Sequence, residues 1–263
     1  MPIVFSAIVP HPPILIPNAP ETARERLVAT RGALEVLAEE LYASRPNLLI
    51  IISPHTGNYA EAFSVFGHPS FQSYFEEFGD VVTKRTWLGA PEIAAKIAHQ
   101  PTKKNIPVQM TGEGRLDHGA SIPLLFLTEH LPHLKILPIG FSNLSPKTHL
   151  EFGESIKEVI AEEPIRAAVI ASGDLSHTLA PDSPAKFNPR GKEFDRVLIE
   201  LLCAKNTIGI ANLDPALIKA ADECGYRSIL ILLGILKNLD TTFHTLSYES
   251  PFGVGYLTGV FHH

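Results

Sequence analysis

Cysteines are scarce in this chain, charges are few, and neither sign of charge forms a dense block; each shortage removes a class of function. The two cysteines, Cys203 and Cys224, cannot make a disulfide framework, so a reducing, cytoplasmic compartment is expected. Charged residues make up 19% of the chain and the formal net charge is −6. Lys and Arg never approach the density of a nucleic-acid patch, so no nucleic-acid partner is expected. The longest uninterrupted apolar stretches, such as Ile229 to Leu233, fall far short of the roughly 20 residues that cross a bilayer. No membrane role is expected. The opening MPIVFSAIVPHPP has no basic n-region and reads as a first strand rather than a signal peptide. There is no Gly/Ser linker, low-complexity tract or internal repeat, so a single domain over 1–263 is the expectation.

What is present is alternation. With 263 residues, 45% of them hydrophobic, the chain can bury a substantial core. Strand-like runs at Ile3 to Val9, Leu48 to Ser53, Phe63 to Phe66, Val108 to Thr111, Lys135 to Ile139 and Ala167 to Ser172 are interleaved with helical patterns. The helical ones are Pro20 to Ser44, Pro91 to His99, Ala120 to Glu129, Lys147 to Glu162, Gly191 to Ala204, Pro215 to Glu223 and Tyr226 to Leu236. Pro123 falls in what would be the first turn of its helix, where proline is tolerated. Segment 70–88 is aromatic and fits neither period. Two more strands, Thr241 to Ser247 and Val254 to Val260, flank turn chemistry at 248–253. The expected fold is α/β: one domain with a central mixed, largely parallel sheet and helices on both faces.

Three histidines follow apolar strands: His11 in IVPHPPI, His55 in LLIIISPHTG and His177 in AAVIASGDLSHT. Continuously apolar runs read as strands buried on both faces, and α/β proteins build their sites at strand ends. Three imidazoles delivered to one rim can hold a divalent metal and supply a base beside it. Prolines 10, 12 and 13 stiffen the loop around His11, and Pro54 does so for His55. Asp174, three residues before His177, is placed either to orient that imidazole or to cap a turn, and the pair reads as a candidate general acid/base. His118 in LDHGA sits where a helix begins, with Asp117 as the candidate N-cap. A two-histidine metal centre wants a third, usually anionic, ligand; Glu223, Cys224 and Glu249 are the candidates, and the residues alone do not choose among them.

The ordered set VPHPPI, SPHT, LDHG, SGDLSH and ECGYRSILILLG resembles the class III (LigB-type) extradiol ring-cleavage dioxygenases, and within them the Memo-like branch. The motifs span residues 9–234. The resemblance implies Fe(II), with zinc as a substitute, held by His11 and His55 and a third ligand at Glu223 or Cys224. It further implies His177 as acid/base and His118 as a residue that contacts substrate or oxygen. The implied reaction opens a catechol-type ring with O2, the partners being a small aromatic diol and dioxygen. Dioxygenase chemistry points to Glu223 and the Memo branch to Cys224; the latter implies a metal-binding redox or interaction partner without ring cleavage. A homo-oligomer is compatible with the sequence but not specified by it.

Overall fold

The computed structural model describes residues 2–55, 57, 59–100 and 105–262. The chain passes through β1 (Ile3–Val9), α1 (Glu21–Arg24), α2 (Val28–Ser44), β2 (Leu48–Ser53), β3 (Phe63–Phe66), β4 (Ser70–Ser73), β5 (Thr86–Gly89), α3 (Pro91–His99), β6 (Val108–Thr111) and β7 (Arg115–Leu116). It continues with α4 (His118–Leu127), β8 (Lys135–Gly140), α5 (Pro146–Glu162), β9 (Ala167–Ser172), α6 (Arg190–Cys203), α7 (Thr207–Ala211), α8 (Pro215–Ala221), α9 (Tyr226–Ile235), β10 (Thr242–Glu249) and β11 (Tyr256–His262).

All the strands join one sheet, in the order β10-β11-β1-β9-β2-β8-β5-β4-β7, with β3 and β6 branching from β8. The centre, β1-β9-β2-β8, is parallel, while β10 and β11 close one side as an antiparallel pair. This is the expected α/β architecture with a mixed, mostly parallel sheet. Alternate residues of the central strands feed two cores. Ile50, Ile52 and Val169 pack with α5 and α9 on one face, and Leu49, Ile51 and Ile170 pack with α2 and α4 on the other. Burial on both faces is why these strands read as unbroken apolar runs. Helix α9, Tyr226 to Ile235, is buried apart from half-buried Arg227 and accordingly has no polar stripe.

Several expectations are corrected. The segment Pro20 to Ser44 is not one helix: Leu27 leaves helical geometry (φ −110°, ψ 37°) and separates α1 and a tight turn from α2. Helix α4 starts at His118, two residues earlier than expected, which puts Pro123 at its sixth position rather than in its first turn. Glu249 ends a strand instead of lying in the turn. Within 70–88, β4 and β5 pair antiparallel, and Arg85 is bound to the end of α4 through the Thr128 carbonyl, 2.6 Å away.

The registers align the C-terminal ends of the central strands. Val9 lies beside Ser172, Ile52 beside Ala171, and Ser53 beside Gly140. The loops leaving β1, β9 and β2 therefore emerge side by side, with the β9 loop between the other two.

His149, at the start of α5, is fully buried, with ring nitrogens 2.9 and 3.1 Å from the carbonyls of Ser145 and Ser142. Burial pushes its pKa down to about 4. An unfolded chain takes up this proton near pH 6.5 and the folded one does not, so stability present above pH 6.5 drains away as pH falls toward 4. Between pH 7 and 4 the parent should lose about 3 kcal/mol more than His149→Gln, a shift of about 2.5 pKa units at 1.36 kcal/mol each. Urea unfolding of both proteins measures this, and the shared carboxylates cancel in the difference. Identical pH slopes would show that His149 is not held neutral.

Candidate metal centre and active site

The site starts from a constraint on one proton. His11 is buried just past β1; its N–H donates to Asp174 Oδ1 at 2.9 Å, and its Nδ1 lies 2.9 Å from Ser172 Oγ, at the end of β9. The Ser172 hydroxyl donates to the Gly119 carbonyl at 2.5 Å. A hydroxyl has a single proton, so Ser172 can only accept from His11. Nδ1 therefore carries the ring hydrogen, and Nε2 presents a lone pair. The Gly119 carbonyl is open because the residue four positions on in α4 is Pro123, which has no N–H to return. A proline inside a helix thus sets the tautomer of a histidine on another strand. Replacing Ser172 with alanine should weaken metal affinity about 10–100-fold while leaving the fold intact, as read by competition with a chromophoric chelator. Unchanged affinity would remove this account of His11.

The His11 Nε2 lone pair faces a cluster. His55 Nε2 is 3.1 Å away, Cys224 Sγ 3.6 Å and Asp174 Oδ2 4.0 Å. His118 stacks on His55 with centroids 4.3 Å apart and meets His11 edge-on at 5.4 Å. Two groups have ligand atoms mutually within 4.8 Å: His11 with His55 and His118, and His11 with Asp174 and Cys224. A nitrogen separation of 3.1 Å is what two imidazoles show when each bonds one ion at about 2.0–2.1 Å. Imidazole, thiolate and carboxylate together suit iron or zinc rather than magnesium or calcium.

The electrostatics agree with that donor set. Burial, then the neighbouring imidazoles, pushes the pKa of His11 well below its ordinary value. Burial likewise lowers His55 and His118, leaving neutral rings, the form that binds metal. Burial raises the Cys224 thiol, Asp174 adding to the effect, and lifts Asp174 itself to about 6. A cation among them would reverse both shifts.

Asp117 caps α4: its Oδ1 accepts from Ala120 N at 2.9 Å and from the Ser53 hydroxyl at 2.7 Å. The cap ties α4 to the end of β2 and places His118 at the first helical position, against the His55 loop. Glu77 Oε1 stands 3.4 Å from His118 Nδ1, and Phe78 packs edge-on against the same ring. Beside them lies a cavity of about 300 Å³ whose walls include His55, Phe66, Tyr74, Glu77, Arg115 and Asp117.

His177 stands outside both ligand groups. Its Nδ1 donates to the Asp222 carbonyl, which leaves Nε2 free. Asp174 does not orient it, since that carboxylate is taken up with His11. The His177 loop is fixed by backbone: Leu175 N donates to Gly255 O and Gly255 N to Ser176 O, both at 2.8 Å, and Ser176 N donates to buried Asp195 Oδ1 at 2.8 Å. Of the three candidates for third ligand, Cys224 alone enters the cluster. Glu223 Oε2 accepts from Tyr226 N at 2.5 Å, capping α9, and Glu249 Oε1 accepts from Thr30 N at 2.7 Å in α2. Ser53, Ser172, Glu77, Phe78, Asp195 and buried Tyr256, next to Asp174 and Cys224, are absent from the sequence reading. The two serines carried a signal, each being the polar end of an apolar strand.

Residues 6–259 match the family described as the catalytic LigB subunit of aromatic ring-opening dioxygenase. The chain is 31% identical over 258 residues to protein CA_C1420 of Clostridium acetobutylicum, covering 95% of itself and 55% of that protein. It therefore spans about half the length of that relative. A protein of Methanosarcina mazei named as a MEMO1 family protein is 26% identical over 191 residues, covering 71% of this chain and 67% of its own. The crystal structure of the uncharacterized protein JW3007 from Escherichia coli K12 superposes with a TM-score of 0.70, covering 98% of this chain and 99% of that one. At 15% identity it speaks for the fold alone.

Proposed function

Because the chain belongs to the family of the catalytic LigB subunit of aromatic ring-opening dioxygenases, we propose that it opens a catechol-type ring with O2 at an Fe(II) centre. The supporting observation is the His11–His55 pair, with Nε2 atoms 3.1 Å apart and one tautomer fixed from behind. His11 would hold the metal, either with His55 and His118 or with Asp174 and Cys224, the two groups whose ligand atoms lie within reach of one another. When bound, Fe(II) acidifies a coordinated diol and exchanges electrons with dioxygen.

The chain's own residues do the rest. The cavity of about 300 Å³ beside His55 is ample for one ring, since about 150 Å³ admits benzene. Phe66 and Tyr74 give it apolar walls, and Arg115 a charged end. Nε2 of His177 takes the second phenolic proton and later returns it, while the Asp222 carbonyl keeps its Nδ1 protonated. His118, stacked on His55, stabilises negative charge that develops on the substrate.

Cys224 supports a second reading. With a thiol 3.6 Å from His11 Nε2, and with a relative named as a MEMO1 family protein, the chain would keep the metal and act as a redox or interaction partner without opening rings. Anaerobic reconstitution with Fe(II), then oxygen uptake over a panel of catechols and aminophenols, separates the two. Uptake with yellow products is the expected result. Tight iron binding with no uptake on any substrate would overturn the enzymatic reading in favour of the second. Among the described residues no helix is long and apolar enough to cross a membrane.

A further inference from the structure

The reaction proposed above leaves unused a second, larger cavity on the α5–α9 side of the same rim, of about 720 Å³. Leu144, Leu213, Ile218 and Leu230 give it apolar walls, which they share with polar residues that include half-buried Glu223 and Arg227. None of His11, His55, His118, His177, Asp174 or Cys224 lines it.

Arg227 is the informative residue. It is half-buried in the first turn of α9, with its guanidinium 5.6 Å from the Phe141 ring centroid. Among the described residues it forms no hydrogen bond or ion pair. The planar donors of a half-buried guanidinium are commonly met by a carboxylate or phosphate. Glu223 is close enough to be felt electrostatically, but it makes no hydrogen bond or ion pair with Arg227, and its Oε2 accepts from Tyr226 N at the start of α9. Lys219 and Asp222, both exposed at the rim, offset each other. What remains is a planar cation that no side chain among the described residues engages by a hydrogen bond or ion pair, set in the wall of a cavity of mixed apolar and polar lining, the pattern of a small-molecule site with an orienting charge. The planar fork of arginine favours a carboxylate held by two parallel bonds. Inorganic phosphate would satisfy the charge and leave the apolar walls bare.

We infer that this cavity is a second ligand site, for a small organic carboxylate with an apolar body, whose carboxylate sits on Arg227 and whose body packs against Leu144, Leu213, Ile218 and Leu230. The partition between this site and the metal centre is residues 222–224. The Asp222 carbonyl accepts from His177 on one side, Cys224 faces His11, and Glu223 faces the cavity.

Calorimetric titration of the full zinc-loaded chain with cyclohexanecarboxylate tests the site, because this probe has the charge and the apolar body but no diol to chelate metal. One site per chain is expected, with cyclohexanol and inorganic phosphate binding at least tenfold more weakly. Arg227→Gln, and independently Ile218→Trp, which fills the chamber, should each weaken the probe at least tenfold with an unchanged melting temperature. His55→Ala should leave probe binding as it was. Equal binding of cyclohexanol or phosphate, indifference to both cavity variants, or loss of binding in His55→Ala would each overturn the inference. A chain that opens no catechol but still binds the probe through Arg227 would refute the proposed reaction alone.

Discussion

Replacing His177 with alanine is expected to lower ring-opening turnover about 10²–10⁴-fold, the usual contribution of a positioned acid/base, with metal uptake at the parent level. The two halves of this expectation rest on different facts. Turnover depends on Nε2, which is free because Nδ1 is committed to the Asp222 carbonyl. Metal uptake should survive because His177 belongs to neither ligand group. The loop would stay in place, since it is held by the Gly255 backbone and by Asp195 rather than by the imidazole. Steady-state oxygen uptake and a metal titration on the same preparation read both quantities. Turnover at the parent rate would mean that another group carries the proton; loss of metal would mean that His177 is a ligand.

His11→Ala should have the largest effect on the metal itself, a loss of about 10²–10³ in affinity. A structural zinc site of four ligands contributes about 10–16 kcal/mol, so one ligand accounts for about 3–4 kcal/mol. His11 is singled out because its Nε2 belongs to both ligand groups, whereas His55 and His118 belong only to one and Asp174 and Cys224 only to the other. Whichever set closes on the ion, His11 is in it. Comparing Cys224→Ser with His118→Ala under the same chelator competition then identifies the set: the variant that loses affinity lies on the side that binds. A His11→Ala protein with parent affinity would place the metal elsewhere.

The parts of the fold legible in the sequence are those where one periodicity dominates. β1, β2 and β9 are buried on both faces and have nothing to alternate with, so their apolar runs announced them, and α9 was readable for the same reason. Segment 70–88 was opaque because β4 and β5 are four residues each and are held by tertiary bonds such as Arg85 to Thr128, which leave no local pattern. At the site, His11, His55 and His118 were visible as polar residues at strand and helix ends. The parts played by Ser172 and Pro123 were not, because they exist only once β9 lies between β1 and β2 and α4 crosses the rim. No spacing along the chain encodes that meeting. The choice between Glu223 and Cys224 was illegible for a finer reason: it depends on the rotational phase with which α9 begins.

That phase is fixed mechanically. The backbone of Gly173, leaving β9, touches that of Gly225, entering α9, so closely that a Cβ at Gly173 would run into Gly225, and one at Gly225 would crowd Gly173 and the Asp174 carbonyl. Adjacent residues at a helix start point about 100° apart. To bring Glu223 where Cys224 now stands, the chain would have to slip by one residue and set Cys224, with its side chain, opposite Gly173. The paired glycines act as a keyway that admits one alignment of the two segments. A change of ligand chemistry in this scaffold therefore has to occur by substitution at position 224 itself. An insertion or deletion in the turn would misalign the thiol and the backbone that holds His177 in a single stroke.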